Sequence, residues 1–170
     1  MASNVDSSDL KQEEETAEGH YARFSFSVHH FPTIPSWQFK TVYHTPCKSL
    51  PTSWEIFFKS EKGPSNSCFV SLSRVDYIAN PVDAYTWVSF FDIHNRRLAF
   101  PKVLSKRGIL PHGKVQVCIK EMIPRVEMGI LAQLELIVEV SLSISSCHEK
   151  IAPSVASLNS HLNKMKLSKL

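Results

Sequence analysis

Residues 134–144 read LELIVEVSLSI. Leu134, Leu136, Val138, Val140, Leu142 and Ile144 share one parity, while Glu135, Glu139, Ser141 and Ser143 share the other. Successive side chains of an extended chain point to opposite faces, so this period of two describes a strand with one apolar and one wet face. The same alternation runs upstream. In KVQVCIK (114–120), Val115, Val117 and Ile119 alternate with Lys114, Gln116, Cys118 and Lys120. In YARFSFSVHHF (21–31), Phe24, Phe26 and Val28 alternate with Arg23, Ser25, Ser27 and His29. WQFKTVYH (37–44), SWEIFFK (53–59), CFVSLSRV (68–75), YTWVSFFDI (85–93) and LAFPKVL (98–104) complete eight strand candidates. Between them lie FPTIPS, PCKSLPT, EKGPSNS and the polar turn HNRR (94–97), rich in the residues that break strands.

Short strands at this spacing predict an all-β protein, an eight-stranded antiparallel sandwich spanning 20–147. Its core and sheet packing are expected to use Phe26, Val28, Trp54, Phe91, Ile93, Leu136, Val138 and Val140. MIPRVEMG (122–129) has room for one helical turn, and no repeat of 20–50 residues occurs. Residues 148–170 read as a linker and an amphipathic helix. Val155, Leu158, Leu162 and Met165 recur every three or four residues after the start signal Pro153-Ser154, and Lys164, Lys166 and Lys169 gather towards the end. Such a helix either packs on its own sandwich or joins it to a partner or a further domain.

The chain has 170 residues, 43% of them hydrophobic, enough for one domain with a real core. Residues 1–19 hold six acids (Asp6, Asp9, Glu13, Glu14, Glu15, Glu18) and one base, Lys11. With no aromatic residue and little to bury, this tail is expected to be disordered. The body is mildly basic, but its Lys and Arg are scattered, which points away from a nucleic-acid groove. No apolar run approaches the roughly 20 residues of a membrane helix, and the polar start is unlike a secretory signal. Cys47, Cys68, Cys118 and Cys147 lie far apart with no CxxC, consistent with reduced thiols in the cytoplasm or nucleus.

His112, Lys114, Cys118, Lys120 and Glu121 crowd into LPHGKVQVCIKEM (110–122), and a thiol active site is one reading of them. Six extended residues separate His112 from Cys118, roughly 20 Å at about 3.3 Å per residue. A thiolate and its base must stand about 3 Å apart, so these two form no local dyad and the strand reading prevails. His29 and His30, adjacent in a strand, would face opposite ways and could not ligate one metal. No HExxH, GxSxG or glycine-rich phosphate loop occurs. The expectation is a non-enzyme with no cofactor or metal.

The order of these landmarks resembles one family, the meprin-and-TRAF-homology (MATH) domain. FSFSVHHF is similar to its opening W-x-I-x-x-F, with Phe26, Val28 and Phe31 at the three places. FKTVYHTP resembles the second strand, and SWEIFFKSEKG resembles W-x-L-x-x-x-P-x-G, with Trp54 and Gly63 at its ends. FVSLSRV resembles Y-L-S-L-Y-L, and VSFFDIHN resembles F-x-F-x-I-x-N, closing on Asn95. GKVQVCIKEMI resembles G-F-x-x-F-I-x-x-x-x-L, and GILAQLELIVEVSL resembles a closing segment two residues longer. The likeness covers roughly 20–145 and rests on order and spacing, since no single piece is distinctive.

By pattern the sequence is most similar to speckle-type POZ proteins, where a MATH domain captures substrates and a following BTB domain binds a cullin. The resemblance implies a module that binds extended peptides and reaches a cullin only through a BTB domain not present in this sequence. It places the peptide-binding stretch K-D-W-G-F on Leu110, Pro111, His112, Gly113 and Lys114, and a further aromatic contact on Ser73. Only the glycine matches. Two consequences stay open: a surface changed to favour acidic or phosphorylated peptides through His112 and Lys114, or a loss of peptide binding. The runner-up reading is a TRAF-like oligomeric scaffold, self-associating through 154–170. Neither reading involves nucleic acid or membrane.

Overall fold

The structure, a computed structural model, describes residues 5–31, 34, 36–60, 66–123 and 135–148. Its strands are β1 (Asp9–Glu15), β2 (Gly19–Val28), β3 (Gln38–His44), β4 (Ser53–Ser60) and β5 (Cys68–Arg74), then β6 (Val82–Phe91), β7 (Lys102–Ile109), β8 (Lys114–Ile119) and β9 (Leu136–Ser145). One sheet has the order β1-β2-β9-β6-β7 and the other β3-β4-β5-β8. Every pairing is antiparallel. The all-β sandwich is thus present, and the described residues contain no helix. The helix expected at 154–170, most of the turn expected at 122–129, and Gly63 lie outside the described residues.

Alternation explains the layers. Leu136, Val138, Val140, Leu142 and Ile144 of β9 are buried, as are Ala22, Phe24, Phe26 and Val28 of β2. From the other sheet come Trp54, Ile56 and Phe58 of β4 with Val70 and Leu72 of β5. The sheets meet through aromatic rings. Phe26 stacks on Phe39 of β3 with centroids 3.8 Å apart, and meets Phe58 edge-on at 5.2 Å. Each such pair contributes about 0.5–1.5 kcal/mol beyond its buried area.

Two expectations need correction. The first concerns phase in β6. Val88 and Phe90 point inward, Phe91 is only half-buried, and Ile93 is exposed in the following turn. VSFF has apolar side chains on both parities, so hydrophobicity alone could not set the phase. The turn after β6 is held by Asp92, whose Oδ1 accepts the amides of His94 (2.9 Å) and Arg96 (2.8 Å), with Asn95 at a left-handed φ of 61°. Phe91 instead lies under the Arg97 guanidinium. Nearby logic applies to His29 and His30, which follow the end of β2 in a turn rather than facing apart within a strand.

The second correction concerns the acidic tail. Residues 9–15 form β1, which pairs with β2 from Asp9↔Ser25 to Glu15↔His20, and Val5 bridges Val28. The strand buries almost no side-chain surface. Its attachment is backbone pairing along the free edge of β2, which composition does not register. A row of carboxylates on an edge strand also discourages further sheet addition. Tyr43 of β3 fastens it, its Oη donating to Glu13 Oε1 at 2.7 Å. Burial, then that bond to a carboxylate, push the Tyr43 hydroxyl well above its ordinary pKa. Tyr43→Phe is expected to cost about 1 kcal/mol, because Glu13 is exposed and its bond correspondingly weak. Hydrogen exchange should show β1 amides opening faster while β9 amides keep their protection.

Candidate functional site

The outer face of the four-stranded sheet is laid out by register. Gln38, Lys59, Phe69 and Cys118 form one row across β3, β4, β5 and β8; Lys40, Phe57, Ser71 and Gln116 form the next. Val42, Glu55, Ser73 and Lys114 form the third. Phe57 and Phe69 are half-buried, Val42 is exposed, and Lys40 pairs with Glu55 at 2.7 Å. The face therefore carries an apolar centre between charged margins.

The third row ends at the corner that the sequence singled out. Ser73 and Lys114 are directly opposite across the β5–β8 ladder. Leu110, Pro111, His112 and Gly113 form the turn that leads into β8. Gly113 N–H donates to Leu110 O at 2.8 Å, closing a four-residue turn with Pro111 second and His112 third. Proline at the second place and positive φ at the third describe a type II turn, which prefers glycine or asparagine there. The chain instead places His112 at φ 63°, a strain on the order of 1–2 kcal/mol for a residue with a Cβ. Gly113 cannot be replaced without movement, since a Cβ there would lie 2.7 Å from both Leu110 O and Ile109 Cγ2.

Arg74, the last residue of β5, holds this corner together. Its backbone donates to Gly113 O (2.9 Å) and accepts from His112 N–H (3.0 Å). Its guanidinium is fully buried. It donates to Ile109 O (2.7 Å), Asn80 O (2.6 Å) and Ile78 O (2.7 Å), and forms a two-pronged pair with Asp76. Asp76 Oδ2 also accepts the Ser53 amide at 2.9 Å, and Oδ1 the Ile78 amide at 3.1 Å. Burial works against the Asp76 charge, but the Arg74 and amide hydrogen bonds outweigh it and hold the carboxyl below its ordinary pKa.

All six predicted residues (Ser73, Leu110, Pro111, His112, Gly113 and Lys114) thus share one corner. Cys118 stands at the opposite end of β8, across from Phe69, and is not brought to His112. One residue was missed. Tyr77, 84% exposed, meets the His112 ring edge-on with centroids 5.4 Å apart. It sits in DYIANP, which has no strand pattern; an aromatic ring in so polar a loop was the available signal. Chemically the corner offers a cationic amine, an imidazole, a phenol and the exposed Leu110, next to a partly apolar sheet face. No protein-family model matches the chain, and no curated protein matches it, so this chemistry has to speak for itself.

Proposed function

We propose that this corner and the adjoining sheet face bind an extended peptide segment of another protein. On this reading the molecule is a MATH-type recognition module, serving as the substrate-capturing part of a cullin-linked ubiquitin-ligase adaptor. The observation that carries the proposal is His112. A strained turn position, where glycine would be more stable, presents an imidazole beside an exposed tyrosine and a lysine. Strain kept at an exposed site is a pointer to function. A flat sheet face can take an extended chain, with alternate side chains resting on Phe57, Phe69 and Val42. Lys114 and His112 favour acidic or phosphorylated residues at the rim, in place of the aromatic wall that the family resemblance implies.

Two variants test this against peptides selected from an array. Lys114→Glu is expected to weaken the best peptide about five- to tenfold at low salt, an exposed-charge effect that fades as salt rises. His112→Gly should leave folding stability unchanged or up to about 1 kcal/mol higher, by relieving the positive φ, while weakening the peptide. Binding that is indifferent to both variants would place the peptide elsewhere.

A further inference from the structure

At one end of the sandwich, far apart in sequence, four metal-ligating side chains converge. His20 follows Gly19 at the start of β2, Cys47 lies in the loop after β3, and Cys147 and His148 follow β9. One donor atom from each lies within 4.8 Å of all the others. We propose that His20, Cys47, Cys147 and His148 form a structural zinc site that ties the two sheets together at this end. The proposal is separate from the peptide-binding reading and does not depend on it.

The donor set is two sulfurs and two imidazole nitrogens, the composition of closed tetrahedral zinc sites. With Zn–N near 2.0–2.1 Å and Zn–S near 2.3 Å, a tetrahedron has edges of about 3.3 Å between nitrogens and about 3.8 Å between sulfurs. His20 Nε2 and His148 Nε2 stand 3.1 Å apart, close to such an edge. Adjacent residues of a strand could not both turn inward. Here the strand has ended, and Ser146 at φ 62° breaks the alternation, so that Cys147 and His148 face the same point.

The surroundings prepare the donors. His148 Nδ1 lies 3.2 Å from Ala17 O. A carbonyl can only accept, so Nδ1 donates to it and Nε2 is the nitrogen turned to the cluster, the usual way in which a ligand histidine is oriented. The Leu50 amide donates to Cys47 Sγ at 3.4 Å, and that sulfur lies 3.6 Å from Cys147 O, which fixes its place beside the Cys147 backbone. His20 is 2% exposed; among the described residues its Nδ1 has no hydrogen-bond partner, while its Nε2 stands 3.1 Å from His148 Nε2. On binding, the two thiols release their protons to solvent and the two thiolates balance the charge of Zn²⁺. Glu15, 3.5 Å from His148 Nε2 and exposed, adds negative potential at the mouth.

The test uses the full chain, kept reduced. After chelator treatment and addition of zinc(II), elemental analysis is expected to give one zinc per chain. Cobalt(II) should give the visible ligand-field bands of a tetrahedral site and near-ultraviolet thiolate charge transfer. Chelation should lower the unfolding midpoint by on the order of 5–10 °C. Cys47→Ser should abolish stoichiometric binding, while Cys118→Ser, on the outer face of β8, retains it. If Cys47→Ser fails to fold, the cobalt spectrum of the native chain decides alone. Substoichiometric zinc, an octahedral cobalt spectrum, retention of zinc by Cys47→Ser, or a Cys47–Cys147 disulfide in freshly purified protein would each overturn the proposal.

Discussion

Arg74→Met is expected to lower folding stability by about 3–5 kcal/mol, the usual cost of removing one partner from a buried ion pair. The size follows from what the guanidinium satisfies. Its six hydrogen bonds end on Asp76 and on the carbonyls of Ile78, Asn80 and Ile109. Methionine fills much of the volume but donates nothing, so a little-exposed carboxylate and three carbonyls lose their donors together. The pH dependence carries a distinct sign. In the native chain Asp76 has a depressed pKa. Its contribution is present above the ordinary aspartate value of 3.8 and is lost as pH falls through the lower folded value. In Arg74→Met the burial that opposes the charge is no longer outweighed by the arginine, so acid relieves the variant while it weakens the native protein. Urea unfolding at neutral pH and again near pH 3, below the ordinary aspartate value, should show the gap narrowing. A gap that stays constant would mean that the Asp76 charge is not what the arginine supports. Because Ile109 O is one of the acceptors, the variant should also loosen the 110–113 turn and weaken peptide binding more than its stability loss explains.

Gly19→Ala is expected to be comparably severe, at about 3 kcal/mol or more. A Cβ at this position would lie 1.9 Å from Ile144 O and 2.9 Å from Ser145 Cα. Both are backbone atoms of the paired strand β9, so no side chain can rotate away. The strands must separate at Gly19↔Ser145, where β2 begins and the His20 pairing follows. Chemical denaturation should show a large drop in midpoint. If zinc binds as proposed, the variant should also bind it more weakly, since His20 and Cys147 flank the disturbed pair. An alanine variant of native stability would show that the close approach of β2 to β9 is wrong.

Sequence periodicity was a good guide where one parity was apolar and the other polar. β9 and β2 are of this kind, and both were placed with the correct face inward. It failed in β6, where Val88, Phe90 and Phe91 leave the phase undetermined until β7 and β9 pack on either side. It failed for β1 because an edge strand can be held by main-chain bonds that no side-chain pattern encodes. Residues 110–114 and Ser73 were singled out by the family likeness alone, and what the structure adds is that they share one corner, where the turn meets the β5–β8 ladder. Tyr77 was not singled out, since only the fold of the Arg74–Asp76 knot carries its loop to His112. The cluster at 20, 47, 147 and 148 has no spacing rule at all; three separate chain segments meet there only after both sheets have formed.

The position of β9 has a consequence for biosynthesis. This strand lies between β2 and β6, in the middle of the five-stranded sheet, yet among the described strands it is the last to be made. While the chain is still leaving the ribosome, β2 has only β1 as a neighbour and β6 only β7. Two hairpins can form early by local contacts, but each then presents a long apolar strand with one unpaired edge. The sheet closes only when residues 136–145 slot between them, joining partners more than a hundred residues apart, as in the Phe24↔Val140 pair. Such non-local closure is slow, and the waiting edges are sites for association with other nascent chains. β1 is translated before β2, so it can cover the outer edge of β2 as soon as that strand forms and keep a charged margin there until β9 arrives.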